Sequence, residues 1–352
     1  MRRGALVLLS VLVIMAATGV FLFGLSGGLA RAGIAAIDGP AGSSTSPVLF
    51  TVRTGDSASE VGRRLEQEKL IRSGLLFRLL VSYRRVGSEL VAGDYELSPS
   101  MRMDEIVDKF RRGEVATVRF TVPEGLRGEE IAEIVASNGF ASREEFLRTF
   151  RQSRFNYGFL ADRPADSALE GYLFPDTYSV SPRLSAEGVI DVMLRNFGAH
   201  YSPDMKNRAA AMGLSTYQVV TLASIVEREA VLPAERPVIA GVLLNRLRDG
   251  MPLETDPTVQ YALGSQPSSR GSDCYWKRNL SMKDLEVDSP YNTYRNKGLP
   301  PGPIANPGLA AMVAVLNPTV TDYYFFVAKN DGSHAFSKTM DEHLRNVVKY
   351  RQ

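Results

Sequence analysis

The spacing of apolar and polar positions divides the chain into stretches of different character. Residues 4–30 carry no charge, and their apolar heart, residues 5–25, is about 20 residues long, the length needed to cross a ~30 Å hydrocarbon core. Residues 31–47 are small, rich in Gly, Ser and Pro and without apolar period, which predicts a flexible linker. At Leu49-Phe50-Thr51-Val52-Arg53 the pattern alternates, as in a half-buried strand, and stops at the turn Thr54-Gly55-Asp56. Ser57 with Glu60 offers a capping box, followed by Ala58, Val61 and Leu65 at helical spacing. Further helices are predicted at 73–85 and 103–112, with Tyr95-Glu96-Leu97 extended between them. Residues 48–115 thus form a small α/β module.

A strand at 117–122 ends at the turn Pro123-Glu124-Gly125, and helices are expected at 128–138 and 142–151, giving a connecting α/β subdomain over 116–160. The stretch 157–185 is loop-rich. The region 161–352 is otherwise mostly helical: 186–198, 204–212, 215–231, 235–248, a short helix after Pro257, and 308–316. The run YYFFVA at 323–328 is a strong strand signal, and Ala335-Phe336-Ser337 pairs with it across the turn at 329–333. The fold class is α+β.

A cleaved signal peptide usually has an apolar core of only about 7–15 residues, so the longer run here predicts an uncleaved, single-pass anchor. Arg2 and Arg3 then stay cytoplasmic, and everything after Arg31 lies outside the cytoplasmic membrane. The charge balance, 41 Lys and Arg against 39 Asp and Glu, gives no basic stripe for a nucleic-acid partner. A single cysteine, Cys274, excludes an internal disulfide, and the scattered His200, His334 and His343 form no paired-histidine zinc motif. No metal or cofactor is expected.

The most informative segment is STYQVVTLASIVEREA at 215–230. It is apolar on most of its surface, as in a helix buried within a domain. At about 100° per residue, Leu222, Ile225, Val226 and Glu229 share one stripe, while Glu227 points about 160° away. A carboxyl at the end of an apolar stripe loses hydration and keeps its proton, as a general acid requires. The alternative is that both glutamates are solvated and pair with Arg228 or Arg236, and the periodicity alone does not choose.

ASIVEREA at 223–230 closely resembles the signature helix of the endolytic murein transglycosylase (YceG-like, MltG) family. LEGYLFPDTY at 169–178, NRL at 245–247, LETDPTVQY at 253–261, YNTY at 291–294, GLPPGPIANPG at 298–308, and YFFVA at 324–328 with GSHAF at 332–336 follow the family's pattern in order. The similarity runs from about residue 48 to the C-terminus. It implies a lytic transglycosylase that cleaves the β-1,4 bond between N-acetylmuramic acid and N-acetylglucosamine within nascent strands, leaves 1,6-anhydro ends, and so limits strand length. One carboxyl suffices for that chemistry, whereas an inverting hydrolase needs two, roughly 6.5–9.5 Å apart. The resemblance places the essential glutamate in this helix. Glu229 is preferred because it joins the apolar stripe and precedes a small residue, and Glu227 stays open.

Among the resembling motifs, Glu170 and Asp176 flank aromatic residues and suit either sugar binding or a turn held by carboxylate-to-backbone bonds. Thr255 and Asp256 precede Pro257, so either one is as well placed to cap a helix as to line a cleft. Gln260 and Tyr261 follow on that helix and face either way. Asn292, Tyr294 and Asn306 lie in Gly/Pro-rich loops open to a ligand. His334 is a surface histidine by default and a substrate contact by resemblance. The stretch 265–278, with Cys274 and Trp276, carries no legible pattern. Val52-Arg53-Thr54-Gly55-Asp56 resembles the start of LysM, a peptidoglycan-binding module, but the later consensus is absent, which leaves glycan binding and a positioning role both open. The implied partners are glycan strands, the membrane, and the glycosyltransferases and penicillin-binding proteins of peptidoglycan synthesis. A non-catalytic envelope scaffold is the rival reading.

Overall fold

Phe50 and Val52 turn the same side of their strand inward, and β1 (Val48–Val52) pairs antiparallel with β2 (Gly93–Leu97), setting Phe50 opposite Tyr95. The structure, a computed structural model, describes residues 39–152, 154–264 and 274–350 and divides into two units that meet between Thr117 and Val118. In the first unit, α1 (Ala58–Gln67) starts at the Ser57–Glu60 capping box, and α2 (Gly74–Arg84) at Ser73. Their backbones touch at Gly62 and Gly74: a β-carbon on Gly62 would lie 2.7 Å from the Gly74 carbonyl, so no larger residue fits. α3 (Met103–Arg112) completes the core with Phe110, whose ring lies 4.7 Å from Tyr95 and 6.0 Å from Phe50.

Part of the expected linker is tied down. Gly42 N–H donates to Pro99 O at 2.8 Å, and Ser100 N–H to Ser44 O at 3.0 Å, so backbone groups that an unpatterned sequence leaves unassigned find partners in the module. The expected anchor at 5–25 lies outside the described residues. Among the described residues no single helix is long and apolar enough to cross a membrane.

The second unit is built around one helix. β3 (Val118–Val122) pairs antiparallel with β4 (Asp176–Val180), aligning Phe120 with Tyr178. β4 lies in the stretch expected to be loop; Tyr178 is its one buried residue, so it carries little alternation and owes its conformation to β3. Around them stand α4 (Gly128–Ser137), α5 (Arg143–Gln152), α6 (Ala186–His200) and α7 (Pro203–Ala211). The central helix, α8 (Thr216–Glu229), starts at a Ser215–Gln218 capping box and buries every residue from Val219 to Val226. It packs against α9 (Arg236–Arg248), α10 (Asp256–Leu263) and α11 (Leu309–Leu316). The 169–175 loop meets it at Gly171, whose φ is +89° and where a β-carbon would stand 2.5 Å from Val220 Cγ1. The chain ends in the hairpin β5 (Phe325–Ala328) and β6 (His334–Ser337), then α12 (Met340–Tyr350). The sequence gives no clear signal for α12, because Leu344 and Val348 on it remain exposed.

Candidate active site

The two glutamates at the end of α8 have different surroundings. Glu227, expected on the solvated side, has a side chain only 6% exposed. Arg236 Nη2 donates to its Oε1 at 2.8 Å, and Gly308 N–H to its Oε2 at 3.1 Å. Arg236 also lies 3.7 Å from Glu124, whose carboxyl is pushed up by burial and by the Glu227 charge and pulled down by Arg236. Both Glu227 oxygens are therefore committed to holding α8 against α9 and the 306–308 loop. The expected alternative of a pairing with Arg236 holds for Glu227, but its solvation does not, because α8 is enclosed along most of its length and this side meets α9 rather than water.

Glu229 is the last residue of α8, half-buried, and the chain leaves the helix at Ala230 in extended conformation. Its carboxyl acts electrostatically on Tyr294: burial, then Asp256, then Glu229 push that phenol well above its usual range. Tyr294 Oη donates to Asp256 Oδ1 at 2.6 Å. Tyr294 and Asp256 thus form a hydrogen-bonded pair between α10 and the 291–294 loop that feels the Glu229 charge. Asp256 does not cap α10. The N-cap position falls on Thr255, whose side chain makes no capping bond.

An aromatic and cationic wall stands beside this group, unforeseen from the sequence. The Arg228 guanidinium stacks 3.8 Å over the Trp276 ring, and Arg127 lies 4.3 Å over Tyr261. Trp276 Nε1 donates to Glu130 at 2.9 Å, and Tyr261 packs on Tyr291 at 4.8 Å. Cation–π stacking turns both arginines into the wall. Gln260 secures the same segment by donating to Lys277 O at 2.9 Å. A sequence signal existed in the single tryptophan, but its partners Arg127, Glu130 and Arg228 lie roughly 50 to 150 residues away in the chain, beyond any local pattern.

The remaining expected residues support loops. Glu170 is buried and accepts from Gly128 N–H at 3.1 Å and from Asn306 Nδ2 at 2.7 Å. Asn306 also receives Leu173 N–H at 2.9 Å, so the pair joins three loops at the start of α4. Asn292 is fully buried and donates to Leu285 O and Val287 O. Thr255 shares a buried hydroxyl cluster with Thr258 and Thr293. His334 is no surface histidine: it is 7% exposed, and its Nδ1 lies 2.7 Å from Glu235 Oε2, fastening β6 to the turn that follows α8. Asp176 stands elsewhere, on a cleft of about 430 Å³ between β4 and α6, and accepts from Asn196 at 2.9 Å. Among the described residues no group of three or more His, Cys, Asp or Glu is placed to hold a metal ion.

Glu170 has a consequence for pH. Burial, and next the Glu129 charge, push its carboxyl up to about 8, against the pull of the Gly128 amide, Arg127 and Asn306. The folded protein then binds more protons than the unfolded chain between about 4.5 and about 8, so stability falls as pH rises through that window. Urea unfolding at pH 5 and pH 9 is expected to show this loss in the wild type and a flatter dependence in Glu170→Gln.

The chain matches the YceG-like family over residues 50–349. It is similar to the endolytic murein transglycosylase of Bacillus subtilis, 35% identical over 323 residues, covering 87% of this chain and 86% of that protein. It is also similar to the endolytic murein transglycosylase of Streptococcus pneumoniae D39, 31% identical over 327 residues, and there spans 58% of the relative's length. A crystal structure of a yceG-like protein from Listeria monocytogenes is 35% identical, aligns with a TM-score of 0.57, and covers 86% of this chain and 100% of that one.

Proposed function

The chain belongs to the YceG-like family, and from that membership we propose that it is a lytic transglycosylase of peptidoglycan with Glu229 as its single acid and base. One observation carries the choice of residue: Glu227 has both oxygens engaged by Arg236 and Gly308 in a buried contact that holds α8 to α9, which suits it to a structural role.

In the proposed reaction Glu229 donates its proton to the glycosidic oxygen as the bond from C1 of N-acetylmuramic acid breaks and its electron pair leaves with that oxygen. The resulting carboxylate removes the proton from the 6-hydroxyl of the same sugar, whose oxygen closes onto C1. The product is a 1,6-anhydro end, no water is consumed, and the acid is restored. The proposal includes cleavage within nascent strands, anchoring in the cytoplasmic membrane through residues 5–25 with the catalytic unit outside, and association with glycosyltransferases and penicillin-binding proteins. The 48–115 module serves either glycan binding or positioning.

Full-length protein incubated with uncrosslinked glycan is expected to release anhydro-muropeptides detectable by mass spectrometry. No product, under conditions in which a known transglycosylase works, would favour the non-catalytic scaffold.

A further inference from the structure

From Leu70 to Ser88 the sequence contains four arginines, Arg72, Arg78, Arg84 and Arg85, and no acidic residue. In the first unit this segment forms α2 and its flanks, and the helix buries Phe77 and Val81 against the module's core. Its outer side is apolar: Leu75 is 57%, Leu79 52% and Tyr83 79% exposed, spaced four residues apart and therefore aligned in one stripe. Arg72, Arg78 and Arg85 are exposed around it, while Arg84 pairs with Asp108. A soluble module gains nothing from leaving two leucines and a tyrosine in a row in water.

The path of the chain identifies what covers the stripe. Gly39 sits against the Arg72 guanidinium, whose Nη1 lies 3.4 Å from where a β-carbon on Gly39 would stand. Gly39 follows Ala30, the end of the uncharged run, by nine residues, so it cannot be more than about 30 Å from that end. Gly42 and Ser44 are bonded to the module, so they add no slack. The arginine at the head of α2 is therefore held close to where the chain leaves the membrane.

We propose that the outer side of α2 is a membrane-docking surface: Leu75, Leu79 and Tyr83 enter the interfacial region of the bilayer that holds the anchor, and Arg72, Arg78 and Arg85 bind anionic lipid headgroups. Leucine on the buried side, tyrosine at headgroup level and arginines at the rim match the composition of interfacial helices. Docking fixes the height and orientation of the first unit above the bilayer. This inference rests on the anchor proposed above.

The test uses the full chain with Cys274→Ser, reconstituted in vesicles of phosphatidylglycerol and phosphatidylcholine. An environment-sensitive fluorophore is placed at Leu79→Cys or, as control, at the exposed Glu96→Cys, and nitroxide-labelled lipid is the quencher. Flotation of the vesicles reports the anchor separately, and a chain that does not float refutes the anchor rather than the docking. With the chain afloat, quenching at position 79 is expected to exceed that at position 96 at least twofold, and to fall to the control level in Arg72→Glu/Arg78→Glu/Arg85→Glu. Equal quenching at both positions, or quenching at 79 that survives the triple substitution, overturns the proposal. These side chains are exposed, so the variants retain the core of the module.

Discussion

Glu229→Gln is expected to lower turnover of uncrosslinked glycan by about 10³-fold or more while leaving the unfolding midpoint close to wild type. The amide keeps the size and much of the hydrogen-bonding capacity of the carboxyl but can neither give nor take the proton, and general acid–base catalysis is worth roughly 10² to 10⁴ per group. Here one group serves both half-reactions, so the loss lies toward the upper part of that range. Glu229 is half-buried at a helix end, where a near-isosteric change disturbs little packing. Rates of anhydro-end formation and thermal melts on the same preparations check both halves. Equal activity in Glu229→Gln, with activity lost in Glu227→Gln, would exchange the roles assigned to the two residues.

Glu227→Ala should behave in the opposite way, destabilising the second unit by about 3 kcal/mol. Removing one partner of a buried ion pair leaves the other charge uncompensated, a loss of roughly 3–5 kcal/mol. Arg236, with a side chain 12% exposed, would keep only Glu124 at 3.7 Å, and Gly308 N–H would lose its acceptor. The residual Glu124 contact sets the expectation at the lower end. Trp276 is the only tryptophan and is buried in this unit, so its fluorescence during urea unfolding reports the change. Glu227→Gln retains one acceptor oxygen for the two donors, is expected to cost less than the alanine, and keeps most of the activity of its folded fraction.

The contrast between these residues shows how far the sequence could be read. α8 was legible because the segment 215–230 is apolar over most of its surface; the Gln218 half of the capping box at its start emerges only in the structure. The hairpin of β5 and β6 was legible because a dense aromatic and β-branched run meets a short polar turn. That Glu227 is buried was not, because a helix enclosed along most of its length has no solvent side by which to orient its faces. The deciding contacts come from Arg236, in another helix, and from the Gly308 backbone. Polar residues in Gly/Pro-rich loops pointed to ligand contacts, yet Asn292 spends its amide on backbone groups of its neighbourhood, and Asn306 on the Leu126 and Leu173 backbone and the Glu170 carboxylate. His334 and Glu235 lie 99 residues apart, and nothing local in either segment announces their pairing.

The central claim is that a single carboxyl drives ring closure by the sugar's own hydroxyl. Digesting uncrosslinked glycan in ¹⁸O-labelled water and examining the new ends by mass spectrometry tests it most directly. The account predicts 1,6-anhydro ends free of ¹⁸O, in amounts that vanish with Glu229→Gln. Reducing ends carrying one ¹⁸O would mean that water attacks C1, making the protein a muramidase and contradicting the mechanism.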